Sequence, residues 1–172
     1  PEISHSVQVA QVLERTVDYD PNLVAAALVH DTVEEKKTTI EELRAALNEE
    51  IAHTTDEVSL DTNIKGKARR DMQLAALDTM SLNGRRVKVA DRSVNLLNLA
   101  FDPPEHWRLE NKINYFLSSK RLFERAEIPD PKLKAFASEA LQLAERVVLV
   151  GIRDRMKERG ENVKFNVEGD IS

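Results

Sequence analysis

Two histidines and two aspartates occupy positions where a charged or polar side chain needs a partner. His30 and Asp31 sit side by side at the end of the apolar run that begins at Leu23, and Asp91 follows Val87-Lys88-Val89-Ala90 in an equally apolar stretch. His5 lies just before the first apolar stripe. Burying a bare charge is costly, so such groups are normally paired or bound to a metal. The chain has no cysteine, and imidazole with carboxylate is the donor set that suits Mn, Fe, Zn or Co while leaving positions for water. Glu34 and Glu35 follow within one helical turn, so in a continuous helix Glu34 projects from nearly the same face as His30. A carboxylate beside a metal-activated water is a general base. A charged helix end is the plainer interpretation of the pair, since Lys36 and Lys37 follow at once. A metal-dependent hydrolase site explains His30-Asp31 and Asp91 together.

Basic residues flank these donors in the chain. Lys65, Lys67, Arg69 and Arg70 form one group, and Arg85, Arg86 and Lys88 another. Such runs are usually solvated helix faces, but Arg binds phosphate bidentately and Lys binds it as a point charge, so at least one phosphate contact is expected here. His53 and His106 have no comparable surroundings and are expected to be surface or structural. Glu2-x-x-His5 and Glu50-x-x-His53 match the ligand spacing of di-iron bundles. That arrangement needs further inward glutamates and leaves His30-Asp31 unexplained, so it is set aside.

The elements that must position these groups are helical nearly throughout. Val7, Val9, Ala10 and Leu13 form an apolar stripe, and Pro21 stands at or near a helix start. Leu23 to Val33 is apolar on most sides, as a central buried helix should be. Thr39 with Glu42 forms a capping box opening a helix that should run to about Thr54. A loop over Asp61 to Gly66 precedes a helix from about Lys67 to Met80, and Asn83-Gly84 is a strong turn signal. Val87 to Leu99 is again a heavily apolar helix, closed by Pro103-Pro104. Helices over about Glu105–Arg125 and Pro131–Arg159 follow, and Val163 to Val167 could make a short strand in a polar tail. The fold class is all-α, with one domain over residues 1–160 and a polar C-terminal tail over 161–172.

The 172 residues suffice for one core. A net charge of −5 argues against broad nucleic-acid binding but leaves room for a small anionic ligand beside a local basic cluster. No apolar run reaches the ~18 residues of a membrane span and no signal peptide is visible. A cytoplasmic location without membrane association is the expectation.

His5, His30-Asp31 and Asp91 together resemble the H…HD…D signature of the HD-domain metal-dependent phosphohydrolases. Ala27-Leu28-Val29-His30-Asp31-Thr32-Val33-Glu34-Glu35 resembles the ALLHDTVED segment of the RelA/SpoT-type alarmone hydrolases. Pro1-Glu2-Ile3-Ser4-His5-Ser6 resembles their PYINHP, and Val87 to Leu96 resembles their VKLADKLYNL. The segments Thr55–Leu60 and Pro104–Trp107 are similar to those of the small stand-alone members, of the metazoan SpoT-homologue kind. The likeness runs from Pro1 to about Tyr115. It implies an all-α HD-domain bundle that binds Mn2+, or another divalent transition metal, and removes the 3′-pyrophosphate of ppGpp or pppGpp. Position by position, it implies His5, His30, Asp31 and Asp91 as metal ligands and Glu34 and Glu35 as catalytic carboxylates. It also implies Lys65, Arg69, Arg70, Asn95 and Tyr115 as substrate contacts. Glu35 stands where an aspartate is usual. The family's upstream helix, with basic nucleotide contacts, would precede Pro1. The alternatives are a nucleotide or NADPH phosphatase of the wider HD group, or a degenerate HD domain that binds a nucleotide or a protein without turnover. The implied partner is a small nucleotide, and a homo-oligomer is left open.

Overall fold

A computed structural model describes residues 2–60, 63–104 and 106–158, with side chains from residue 4 onward. The described residues form eight helices and no strand. The first is α1 (Glu2–Thr16), whose stripe of Val9, Ala10 and Leu13 is buried. Asp20 then caps α2 (Pro21–Val29) by accepting from the backbone of Asn22 and Leu23, with Pro21 in the first turn. The missing N–H of proline costs nothing there.

Two sequence expectations fail between residues 21 and 58. The central helix stops at Val29 rather than Val33, and residues 30–36 form turns. The Thr32 hydroxyl donates to the Val29 carbonyl at 2.7 Å, competing with helix continuation, and Lys36 adopts a left-handed backbone with φ 60°. The helix expected from Thr39 to Thr54 is two, α3 (Ile40–Ala46) and α4 (Glu49–Val58). The Thr39–Glu42 capping box opens α3 as expected. Asn48 ends the run, because its side chain accepts from the Ile51 backbone at 2.9 Å and caps a new helix.

Next come α5 (Gly66–Ala76) and α6 (Leu82–Phe101). Asn83-Gly84 is not a turn but lies in the first turn of α6, whose cap is Ser81, accepting from Gly84 N at 3.1 Å. Gly84 is needed for closeness instead: a Cβ there would stand 2.6 Å from Met80 Cγ and 2.7 Å from Glu57 Oε2. The last two are α7 (Leu109–Ala126), which begins four residues later than expected, and α8 (Pro131–Glu158). The strand suggested at 163–167 and the tail over 161–172 lie outside the described residues.

Helix α6 is the axis of the bundle and packs on α1, α2, α4, α7 and α8. Its Val87, Val89, Ala90 and Val94 join Leu13, Leu23, Leu122 and Leu133 in the main core, while Leu96 and Leu99 meet Phe116, Ala140 and Val148 in a second. Arg85 donates to the Ala126 carbonyl, and Arg86 grips Asp130 with two hydrogen bonds of 2.8 and 2.7 Å. Arg85 thus fastens the end of α7 to α6 and Arg86 the approach to α8, so of the second basic group only Lys88 faces the site. Among the described residues no helix is long and apolar enough to cross a membrane.

Candidate functional site

Three elements bring the four expected metal donors together: α1 carries His5, the turn after α2 carries His30 and Asp31, and α6 carries Asp91. His5 Nε2 lies 3.1 Å from Asp91 Oδ1 and 3.9 Å from Asp31 Oδ2. His30 Nε2 lies 3.2 Å from Asp31 Oδ2 and 3.8 Å from Asp91 Oδ1. The donor atoms of His5, His30 and Asp91 all fall within 4.8 Å of one another. His30 is 2 % exposed, and its Nδ1–H donates to the Ala27 carbonyl at 2.7 Å. That bond fixes the ring and directs Nε2 inward, where it is buried without a hydrogen bond of good geometry. A buried, unsatisfied imidazole nitrogen among carboxylates fits a cation, so the donor set suits a divalent metal. Asn95, one turn beyond Asp91, donates to Asp91 Oδ1 at 2.6 Å and orients it.

The electrostatics point the same way. Burial alone would lower the His30 pKa, but Asp31 and Asp91 outweigh it and push it up to about 10. Burial would raise the Asp91 carboxyl, yet His30, His5 and Lys88 hold it well below the usual carboxylate range. Burial lowers the Lys88 ammonium, against the pull of Asp91, Glu34 and Asp31. Burial also pushes the Tyr115 phenol up to about 12.

Three of the donors, His5, Asp31 and Asp91, line a cleft of about 770 Å³. Lys65, Arg69 and Arg70, at the start of α5, line it together with Glu34, Lys88, Asn95 and Tyr115. Glu34 reaches the cleft from the turn rather than from a helix face. Its carboxylate pairs with Arg69 and accepts from Leu60 N at 3.3 Å. Glu35 is exposed, pairs with Lys37 at 2.7 Å and lines an adjoining groove that shares His5, Asp31 and Asn95 with the cleft. His53 and His106 are exposed, as expected.

Several cleft residues had no role in the sequence reading: Gln73, Arg92, Trp107, Asn111 and Asn114. For Arg92 a signal existed, because 88, 91, 92 and 95 cluster on one face of a helix otherwise rich in apolar residues over 87–99. Trp107, whose ring meets Tyr115 edge-on at 5.3 Å, lies in the irregular approach to α7 and offered no periodic pattern to read.

An all-α bundle with a His-His-Asp cluster at its centre defines a class, and the comparison agrees: residues 1–112 match the HD domain, and the chain belongs to that family. Membership of that family implies a divalent metal, and the cluster of His5, His30 and Asp91 is the candidate site for it. The chain is similar to the guanosine-3′,5′-bis(diphosphate) 3′-pyrophosphohydrolase MESH1 of Xenopus tropicalis, 32 % identical over 117 residues. It is 31 % identical to MESH1 of Homo sapiens over the same length, and each match covers 67 % of this chain and 65 % of the relative. A probable GTP pyrophosphokinase of Mycobacterium leprae is 36 % identical over 109 residues, 61 % of this chain and 14 % of its own length. The chain thus spans about 65 % of the length of the MESH1 relatives. The same fold occurs in the solved structure of a metazoan ortholog of SpoT, with TM-score 0.76, 24 % identity and coverage of 83 % of this chain and 80 % of that one.

Proposed function

We propose that this protein is a metal-dependent phosphohydrolase that removes the 3′-pyrophosphate of guanosine alarmones, converting ppGpp or pppGpp to GDP or GTP and pyrophosphate, with Mn2+ as its ion. The observation that carries the reading is the convergence of His5, His30, Asp31 and Asp91 at a cleft that the cations Lys65, Arg69 and Arg70 also line. Metal donors and phosphate-binding cations gathered in one cleft suit a substrate that is reactive at phosphorus. The curated relatives named for this activity support the choice of substrate.

A divalent ion held by the four donors supplies Lewis acidity toward a phosphoryl oxygen and a more acidic water. In the reaction, water oxygen bonds to the phosphorus next to the ribose, the bond from that phosphorus to the 3′ oxygen breaks, and the 3′ oxygen takes up a proton. Glu34, held by Leu60 N and Arg69, is the carboxylate placed to receive the proton of the attacking water. Lys65, Arg69 and Arg70 neutralise charge on the pyrophosphoryl oxygens, the main protein contribution in most phosphoryl transfers. Glu35, from the adjoining groove, assists the proton inventory, Asn95 helps hold the nucleotide, and Tyr115 contacts its phosphate or sugar end.

The test is hydrolysis of ppGpp with Mn2+ by the wild type, Asp31→Ala and Glu34→Gln. Loss of a metal ligand or of the base should lower turnover by roughly 10²- to 10⁴-fold. Undiminished turnover in Asp31→Ala would refute the assignment. A panel containing NADPH and ordinary nucleotides checks the substrate class.

A further inference from the structure

Arg92 is a cation for which the site described so far has no task. It is 5 % exposed, yet it lines the cleft beside Asp31, Glu34 and Asp91. Its Nη2 donates to Gln73 Oε1 at 2.7 Å, its Nη1 to Ser118 Oγ at 3.5 Å, and its Cζ stands 4.6 Å from the centre of the Tyr115 ring. All three partners are neutral. Arg44, Arg69, Arg86, Arg125, Arg153 and Arg155, by contrast, each meet a carboxylate. Asp91, the neighbour of Arg92 in the chain, turns its carboxylate to His5 and Asn95 instead.

Removing a guanidinium from water without an anion is costly, so its presence asks for one. The fork carries five donors, and Gln73 and Ser118 take only two of them. Tyr115 is itself braced, since the hydroxyls of Ser118 and Ser119 both donate to its carbonyl. One turn earlier on α6, Lys88 is 7 % exposed and donates to the Val58 carbonyl at 2.9 Å, adding a second buried cation to the same wall. The guanidinium is therefore held in a fixed orientation before any ligand arrives, the arrangement that makes a charged contact effective.

We propose that Arg92, with Lys88 beside it, binds a phosphate of the substrate's pyrophosphoryl group next to the metal ligands, and that Gln73, Ser118 and Tyr115 hold its fork in position. The proposal rests on the phosphohydrolase reading but can fail separately from it. Inorganic pyrophosphate is titrated calorimetrically into the metal-free protein in EDTA, and ppGpp turnover with Mn2+ is measured on the same variants. Wild type should bind pyrophosphate, and Arg92→Gln should bind it about ten- to a hundredfold more weakly, the loss expected for a charge-assisted hydrogen bond. Arg92→Lys should fall between them, because an ammonium keeps the charge without the fork.

A purely structural arginine would change melting temperature and leave the pyrophosphate affinity of the folded protein as it was. That result, or no binding by the wild type, overturns the proposal. Should Arg92→Gln not fold, Arg92→Lys carries the same test, and wild-type affinity in that variant overturns the proposal. Hydrolysis of ppGpp with unchanged KM in Arg92→Gln keeps the functional reading and removes Arg92 from it. Pyrophosphate bound through Arg92 without ppGpp hydrolysis has the opposite meaning.

Discussion

The His30 imidazole sets a proton against a metal ion. Burial disfavours its charged form, but Asp31 Oδ2 at 3.2 Å and Asp91 Oδ1 at 3.8 Å prevail, so the metal-free protein holds an imidazolium with a pKa of about 10. A metal can bind only the neutral ring. At pH 7, three units below that pKa, about one metal-free molecule in a thousand presents the neutral nitrogen. Apparent affinity for Mn2+ should therefore rise about tenfold per pH unit, a hundredfold between about pH 6.5 and 8.5, with about one proton released per ion. Calorimetry in two buffers of different ionisation enthalpy reads both quantities. Asp31→Asn weakens the field on the ring, so its release should begin at lower pH. An affinity that changes less than about twofold across that window, with no buffer-dependent heat, would refute the reasoning.

Three further outcomes are expected. The same ring makes the metal-free fold pH-dependent: its folded pKa of about 10 lies above the ordinary 6.5, so its contribution is complete below 6.5 and lost as pH rises through 10. Thermal melts in EDTA should fall across that range, and the Asp91 shift is the same interaction and adds nothing further. Asn48→Ala removes the cap of α4 and should cost about 1 kcal/mol in urea unfolding, with little effect on metal affinity. Leu96→Ala opens a space in the second core and should cost about 2–5 kcal/mol by the same measurement.

The metal donors were legible because their types conflict with the apolar pattern around them: Asp91 after Val-Lys-Val-Ala has no ordinary reason to be there. The helical class was legible from periodicity. Helix ends were harder. Asn48 carried a cap signal, but Leu43, Leu47 and Ile51 keep apolar residues coming at helical spacing across the break and mask it. Asn83-Gly84 showed the reverse, a turn dipeptide retained for the close approach of Met80 and Glu57. Pairing was the least legible property. Helix face separates Arg92 from Arg86, but the partners of the two, neutral for Arg92 and Asp130 for Arg86, were not legible because they lie more than 15 residues away.

The cations of the cleft belong to two helices held very differently. Those of α6 ride on the most deeply packed element of the molecule, so their distance from Asp91 is fixed. Those at the start of α5 ride on a helix that buries no side chain fully and leans chiefly on α7. The cleft works as a caliper with one anchored jaw and one adjustable jaw. The anchored jaw sets where a phosphate must sit relative to the metal ligands, and the adjustable one closes on whatever length of anion lies between. Amide exchange along α5 should accordingly be faster than along α6 in the free protein, and slow selectively when pyrophosphate is bound.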